Sequence, residues 1–260
     1  MPSLTALSTI AAYILVIWTV YNVIYNLWFH PLRKYPGSKL DAATRILYTF
    51  HLLRGSVTQR TKRLHETGHF IVRPDISAPQ ESRHAAKVTS IIRSDFPNSA
   101  GMTFLELQKH EYINAVLSEG LRLYSPAADS LFRVVPAEGG IVAGKFVPPN
   151  TSVTVNLLAA FRSPLNFHRP DEFIPELWAK DRPPEFQSDS RSVFQPFSIG
   201  KRNCLGKNLA WAEMRMIIAN LLWHYNLEEL MPDSMEWIGK QKIYMLWEKP
   251  DLNIRISRRH

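Results

Sequence analysis

A single cysteine, Cys204, stands in 260 residues, so no intrachain disulfide can form and a secreted disulfide framework is excluded. Glycine is sparse, 11 residues against 18 prolines, which excludes a collagen and points to many ordered turns and chain breaks. No internal repeat is visible. Acidic side chains are in deficit: 23 against 31 Lys and Arg leave a net charge of +8. Such an excess suits nucleic acid, an anionic membrane surface or an acidic protein partner, and no nucleic-acid-binding motif accompanies it. With 45% hydrophobic residues the chain is no disordered tail, and it is long enough for one large domain or two smaller ones.

The shortage of charge is most marked at the start. Residues 1–32 contain no Asp, Glu, Lys or Arg, and Leu4 to Phe29 is a continuous apolar run. As a helix it would reach about 39 Å, more than the roughly 30 Å of a hydrocarbon core. Tyr21, Tyr25 and Trp28 gather near its C-terminal end, where amphipathic rings favour a headgroup interface, and Arg33, Lys34 and Lys39 follow. The run has no positive n-region and no small-residue cleavage site after a short apolar stretch, so an uncleaved anchor fits better than a signal peptide. The reading is a single-pass membrane segment over 1–29, a Pro/Gly linker over 30–40 and a cytosol-facing body over 41–260.

The body reads as mainly α with small β-sheets. Periodicity predicts a helix over 41–67, marked by Ile46, Leu47, Phe50, Leu53 and Leu64, stopped by Gly68 before a short strand at Phe70, Ile71 and Val72. Residues 74–83 read as irregular, and a short helix follows from about His84 to Phe96. Thr103 and Glu106 form a capping-box signature ahead of a helix ending near Tyr124. Strands are expected in LFRVVP, IVAG and TSVTVN between Ser130 and Asn156. Residues 164–196 hold six prolines and little periodicity, which predicts an ordered surface loop. Leu205 to Tyr225 reads as a strong helix with Leu209, Ala212, Met216, Ile217 and Leu221, and the C-terminal IYMLW and LNIRIS as a hairpin.

One motif is set aside. His65-Glu66-Thr67-Gly68-His69 matches the H-E-x-x-H pattern of zinc proteases, which needs both histidines on one helical face. Gly68 falls where that helix should continue, so the two imidazoles are expected to diverge.

The stretch that carries chemistry is Phe197 to Gly206, FSIGKRNCLG, followed at once by an amphipathic helix. A thiolate at a helix N-terminus is favoured by the macrodipole and by unsatisfied backbone N–H groups. Gly200 and Gly206 let backbone approach something flat and large, and Arg202 offers a planar cation suited to a carboxylate. A soft anionic sulfur, a close backbone and such an arginine describe a haem pocket; an inert cysteine in a turn is the bland alternative.

The pattern F-x-x-G-x-R-x-C-x-G resembles the haem-binding signature of the cytochrome P450 family, with Phe197, Gly200, Arg202, Cys204 and Gly206 at every fixed position. Upstream, Glu119-Gly120-Leu121-Arg122 is similar to that family's E-x-x-R motif, whose acid and base lie one helical turn apart. The resemblance implies haem b ligated through Cys204, propionate contacts from Arg202 and Arg133, and electrons from NADPH through a flavoprotein reductase. It also implies a lipophilic substrate, with the anchor and linker resembling those of fungal members of the endoplasmic reticulum membrane. Lys201 and Lys207 would suit an acidic docking surface on the reductase.

The sequence also departs from the family. The distal A-G-x-[DE]-T motif, expected well before Glu119, has no counterpart; Ala100-Gly101-Met102-Thr103 lacks the acid and reads as a loop and N-cap. In Phe173-Ile174-Pro175-Glu176-Leu177-Trp178 the family usually has an arginine where Leu177 stands, so its three-residue network is expected to be incomplete. No catalytic residue on the distal side is assigned. Two readings follow: a monooxygenase acting in fungal secondary metabolism, or a non-catalytic, truncated relative or incomplete gene product with weak or no haem binding.

Overall fold

The computed structural model describes residues 4–34, 38–44, 46–56, 60, 78–129, 131–229, 237 and 240–259. Helices dominate, and the strands among the described residues form two-stranded antiparallel sheets, the mainly α class expected. Packing divides the chain into two units, residues 1–60 with 132–154, and residues 61–131 with 155–260.

In the first unit, helix α1 (Leu4–Ile24) continues through a π-helical turn, Tyr25–Phe29, so the apolar run is helical throughout. Tyr13, Ile17 and Trp18 are exposed along it, and the helix is long and apolar enough to cross a membrane. The linker holds a 3-10 turn, Pro31–Lys34. The single helix expected from residue 41 is corrected to two, α2 (Lys39–Ala43) and α3 (Ile46–Leu53). Thr44 causes the break: its hydroxyl accepts the Ile46 N–H at 3.2 Å, a local bond that competes with helix continuation. Leu64, Gly68, the strand at 70–72 and the H-E-x-x-H histidines lie outside the described residues.

The same unit carries four short strands. Strand β1 (Arg133–Val134) pairs with β4 (Ser152–Val153), and β2 (Gly140–Val142) with β3 (Lys145–Val147). The β2–β3 turn is Ala143-Gly144, with φ of 49° and 75°, the two positive values that a two-residue type I′ hairpin needs.

The second unit builds the core. Helix α4 runs over Ala78–Asp95, longer than expected, because Pro79 falls in the first turn, where a missing N–H costs nothing. Thr103 accepts the Glu106 N–H at 3.3 Å as the capping signature predicts, but extended backbone at His110 splits the following helix into α5 (Phe104–Lys109) and α6 (Glu111–Leu123). Helix α7 (Leu157–Phe161) is capped by Asn156, which accepts from Ala159 N at 2.8 Å. Helix α8 spans Lys207–His224. Val88, Ile92, Phe96, Met102, Leu107, Ile113, Ala219 and Leu222 form one buried cluster from α4, α5, α6, α8 and the intervening loop. Of the apolar positions read on α8, Leu209 and Ile217 face solvent. Arg93 donates to Leu222 O in the last turn of α8 at 2.9 Å and to Tyr225 O just beyond its end at 2.8 Å, a favourable place for a cation.

The C-terminal hairpin is corrected too. IYMLW folds back on itself, with β6 (Lys242–Ile243) against β7 (Trp247–Glu248), whereas LNIRIS supplies β8 (Ile254–Arg258), which pairs with β5 (Tyr225–Glu229).

A buried histidine gives this unit a pH dependence. His84 is buried on α4, its Nδ1 2.8 Å from the Tyr112 hydroxyl and 3.9 Å from Glu176. Burial holds the imidazole below its ordinary value of 6.5, outweighing the attraction of Glu176. The unfolded chain therefore takes up this proton more readily than the native one. The His84 contribution is intact above about pH 6.5, is lost as the pH falls from there toward the folded-state pKa, and then levels off. The urea midpoint is expected to fall between about pH 7.5 and about pH 5.5, and to fall less in His84→Gln. An equal fall in both proteins would show that other groups carry the dependence.

Candidate functional site

The site stands on a buried ion pair. Glu119 and Arg122, three residues apart on α6, are both fully buried. Arg122 Nε donates to Glu119 Oε2 and Nη2 to Oε1, each at 2.8 Å, a bidentate fork. The remaining guanidinium N–H groups reach Phe161 O at 2.9 Å, Pro170 O and Glu172 O at 2.9 Å. Five donors thus meet five acceptors, all that an arginine has to offer. Glu119 in turn accepts from Ile174 N at 2.8 Å and from Trp178 Nε1 at 2.9 Å. Arg162, also buried, donates to Leu123 O at 2.6 Å and so closes the C-terminal end of α6.

The expected gap at Leu177 is filled in another way. Leu177 is buried with Phe167, Ile174 and Phe186, against Trp178 and Phe194, as part of an apolar cluster under the proline-rich segment. Trp178 and the Ile174 amide supply the two donors to Glu119, so the network is complete without an arginine at 177. This role of Trp178 is not legible in the sequence. The segment has no periodicity, and only its position one residue after Leu177 hints at it.

That segment delivers the cysteine loop. The Cys204 amide donates to Phe197 O at 2.9 Å, closing the loop across seven residues, and Asn203 N donates to Gly200 O at 3.1 Å. Gly200 has φ of 77°, which favours glycine. The half-buried Phe197 ring lies 6.2 Å from that of Trp211 in the first turns of α8, pinning the loop to the helix it precedes. Helix α8 begins at Lys207 with no side-chain cap on its first turn. Cys204 sits just before it, exposed, and Leu205 beside it is fully exposed, with Ile199 and Leu209 also open to solvent. Arg202 is exposed and makes no hydrogen bond or ion pair among the described residues.

These features fit a flat, apolar-faced group with anionic arms. Gly206 is informative because the fold does not demand it: its φ is −82°, and an added Cβ would lie 3.9 Å from Cys204 Sγ, an ordinary contact. A bare backbone beside an outward sulfur leaves room for a ligand rather than for the chain's own packing. Cys204, Arg202, Phe197, Gly200 and Gly206 therefore share one loop, and Glu119 with Arg122 lies in the same unit. Arg133 belongs to the first unit, exposed on β1, its Nη1 donating to Phe132 O at 2.9 Å.

Comparison with known proteins bears on this loop. A family model described as Cytochrome P450 matches residues 83–254. Averantin hydroxylase of Dothistroma septosporum is 40% identical over 210 residues, covering 80% of this chain and 38% of that protein. Fusicoccadiene 8-ol C-16-hydroxylase of Phomopsis amygdali is 46% identical over 173 residues, 66% of this chain and 32% of that protein. Cytochrome P450 monooxygenase aclL of Aspergillus oryzae is 45% identical over 171 residues, 66% of this chain and 34% of that protein. The chain spans about a third of the length of these curated relatives.

Removing partners from the buried pair tests its weight. Trp178→Phe takes one donor from Glu119 and is expected to cost about 1.5–3 kcal/mol, the range for a hydrogen bond to a charged group. Glu119→Gln leaves the Arg122 charge buried without a counterion and is expected to cost about 3–5 kcal/mol. Chemical denaturation of the two variants checks both the sizes and their order.

Proposed function

The chain belongs to the cytochrome P450 family, and from this we propose that it is a haem-thiolate monooxygenase in which Cys204 would hold haem b through its sulfur. The observation that carries this reading is the outward-facing sulfur of Cys204 on a pinned loop, at the uncapped N-terminus of the 18-residue helix α8. When bound, the haem supplies the redox chemistry that places one atom of dioxygen in the substrate. The chain's own residues present and hold that group. The first turn of α8 favours the charged sulfur. Arg202, two residues before it, would take one propionate. Phe197 fixes the loop, and Gly200 and Gly206 keep the face beside the sulfur clear.

The relatives are named as hydroxylases of averantin and of fusicoccadiene 8-ol. By that analogy the substrate is a lipophilic small molecule of fungal secondary metabolism. Electrons would come from NADPH through a flavoprotein reductase, and the exposed Lys201 and Lys207 would meet its acidic surface. Helix α1 with its π-helical turn would span the endoplasmic reticulum membrane once, and Arg33, Lys34 and Lys39 would hold the body on the cytosolic side. A second reading, a relative that binds haem weakly and does not catalyse, is favoured by one observation: no A-G-x-[DE]-T motif stands before Glu119 in this sequence.

Spectroscopy separates the two. The purified chain, supplemented with hemin, reduced and exposed to carbon monoxide, is expected to give the red-shifted Soret band of sulfur-bound ferrous haem. Cys204→Ala should abolish it. No shifted band in the unaltered chain would favour the second reading, as would a lack of NADPH-dependent turnover with the reductase.

Gly206→Ala offers a finer test. Its backbone and surroundings accept a Cβ, so unfolding in the absence of haem should change by no more than about 1 kcal/mol. Haem retention should fall by about tenfold, the effect of roughly 1.4 kcal/mol of crowding at the macrocycle. Equal haem retention in both proteins would place the macrocycle elsewhere.

A further inference from the structure

The first unit holds a cavity that the monooxygenase reading does not use. Its volume is about 650 Å³, within the range of ligand pockets. Phe29, His30 and Arg33 line it from the segment that follows the apolar helix, and Lys145, Phe146 and Pro148 line it from strand β3 and the residues beyond. Each of the two segments therefore brings one aromatic ring and one cation to the lining, Phe29 with Arg33 and Phe146 with Lys145, and His30 adds an imidazole. No acidic side chain lines it among the described residues. The Arg33 guanidinium is tied back to Trp28 O, over the last turn of the helix. Tyr25, Trp28 and Phe29 lie in that turn, the aromatic end of a run long and apolar enough to cross a bilayer.

We propose that this cavity binds the headgroup of an anionic phospholipid, with the phosphodiester between Arg33 and Lys145 and the start of the acyl chains against Phe29 and Phe146. The inference rests on the reading of residues 4–29 as a membrane span, because only that places the cavity mouth at headgroup level. Position and chemistry then agree. Arg and Lys are the side chains that recognise phosphate, each near-surface cation favours an anionic lipid, and aromatic rings belong at this depth. A free phosphate would use the cations but leave Phe29, Phe146 and Pro148 idle, so the lipid is the better occupant.

The full chain is reconstituted into nanodiscs of phosphatidylcholine containing a minor fraction of phosphatidic acid, then extracted mildly, and the lipids that remain bound are quantified by mass spectrometry. Phosphatidic acid is expected to be enriched over its share of the bilayer. Lys145→Gln and Arg33→Gln should each lower that enrichment about fivefold. Lys39→Gln, an exposed cation of the same basic flank that does not line the cavity, should leave it unchanged. Excess inorganic phosphate should not displace the lipid. Equal losses in all three variants would mean diffuse surface attraction, and displacement by inorganic phosphate would mean a simple anion site; either overturns the proposal. Failure to enter nanodiscs of phosphatidylcholine alone would overturn the membrane-span reading itself, whereas incorporation without enrichment would overturn only the headgroup site.

Discussion

Two opposite charges, Glu119 and Arg122, are taken entirely out of water in the second unit, and its order follows from the need to satisfy them. An uncompensated buried ion costs several kcal/mol, so each remaining lone pair and N–H must find a partner. Those partners are not on α6. They are the carbonyls of Phe161, Pro170 and Glu172, the amide of Ile174 and the indole of Trp178. A helix and some eighteen residues of irregular chain are thereby held to one side-chain pair. The proline-rich segment has little secondary structure of its own, and this is what gives it a fixed course. The cysteine loop begins where that segment ends, at Phe197, so the constraint on the sulfur starts with a pair of charges 82 residues before it in the chain, from Arg122 to Cys204.

The replacement at Leu177 shows how such a hub tolerates change. A third charged side chain would have to be desolvated in turn. Leucine instead joins Phe167, Ile174 and Phe186 in an apolar cluster, and an indole N–H, cheaper to bury than a guanidinium, donates to Glu119. The apolar cluster and the polar network occupy the same few residues, Ile174 to Trp178, with side chains serving the first and backbone or ring N–H groups the second. Loss of the arginine therefore does not leave the acid short of donors.

What the sequence makes legible is what is local. The Phe197–Gly206 loop is read from ten consecutive residues, and its bends come from Gly200 and the bond between Cys204 and Phe197. The Thr103 cap and the long apolar helix α1 are local in the same sense. The misreadings are of two other kinds. At Thr44 and His110 a side-chain bond or one extended residue interrupts a helix whose apolar periodicity runs on regardless. At the C-terminus the partner of LNIRIS lies at Tyr225–Glu229, a stretch hidden behind the end of a strong helix, while a nearer segment offers itself as a hairpin. The part played by Trp178 belongs to this second kind, since no spacing rule links it to an acid 59 residues earlier.

A contrast between the two parts of the site bears on what the chain needs in order to act. The hub is dry and saturated, whereas the cysteine loop is open, with Cys204, Leu205, Ile199 and Leu209 all exposed. Apolar side chains in contact with water beside a sulfur gain most when something flat and apolar covers them, at roughly 25 cal/mol for each Å² removed from water. Arg202, with no protein partner among the described residues, gains likewise from a carboxylate. The loop is thus pre-formed where its backbone is concerned and incomplete where its surface is concerned, and a pre-formed backbone lowers the ordering cost of binding. A site arranged in this way draws its affinity from the group it receives, and its geometry from Glu119, Arg122 and the residues they hold.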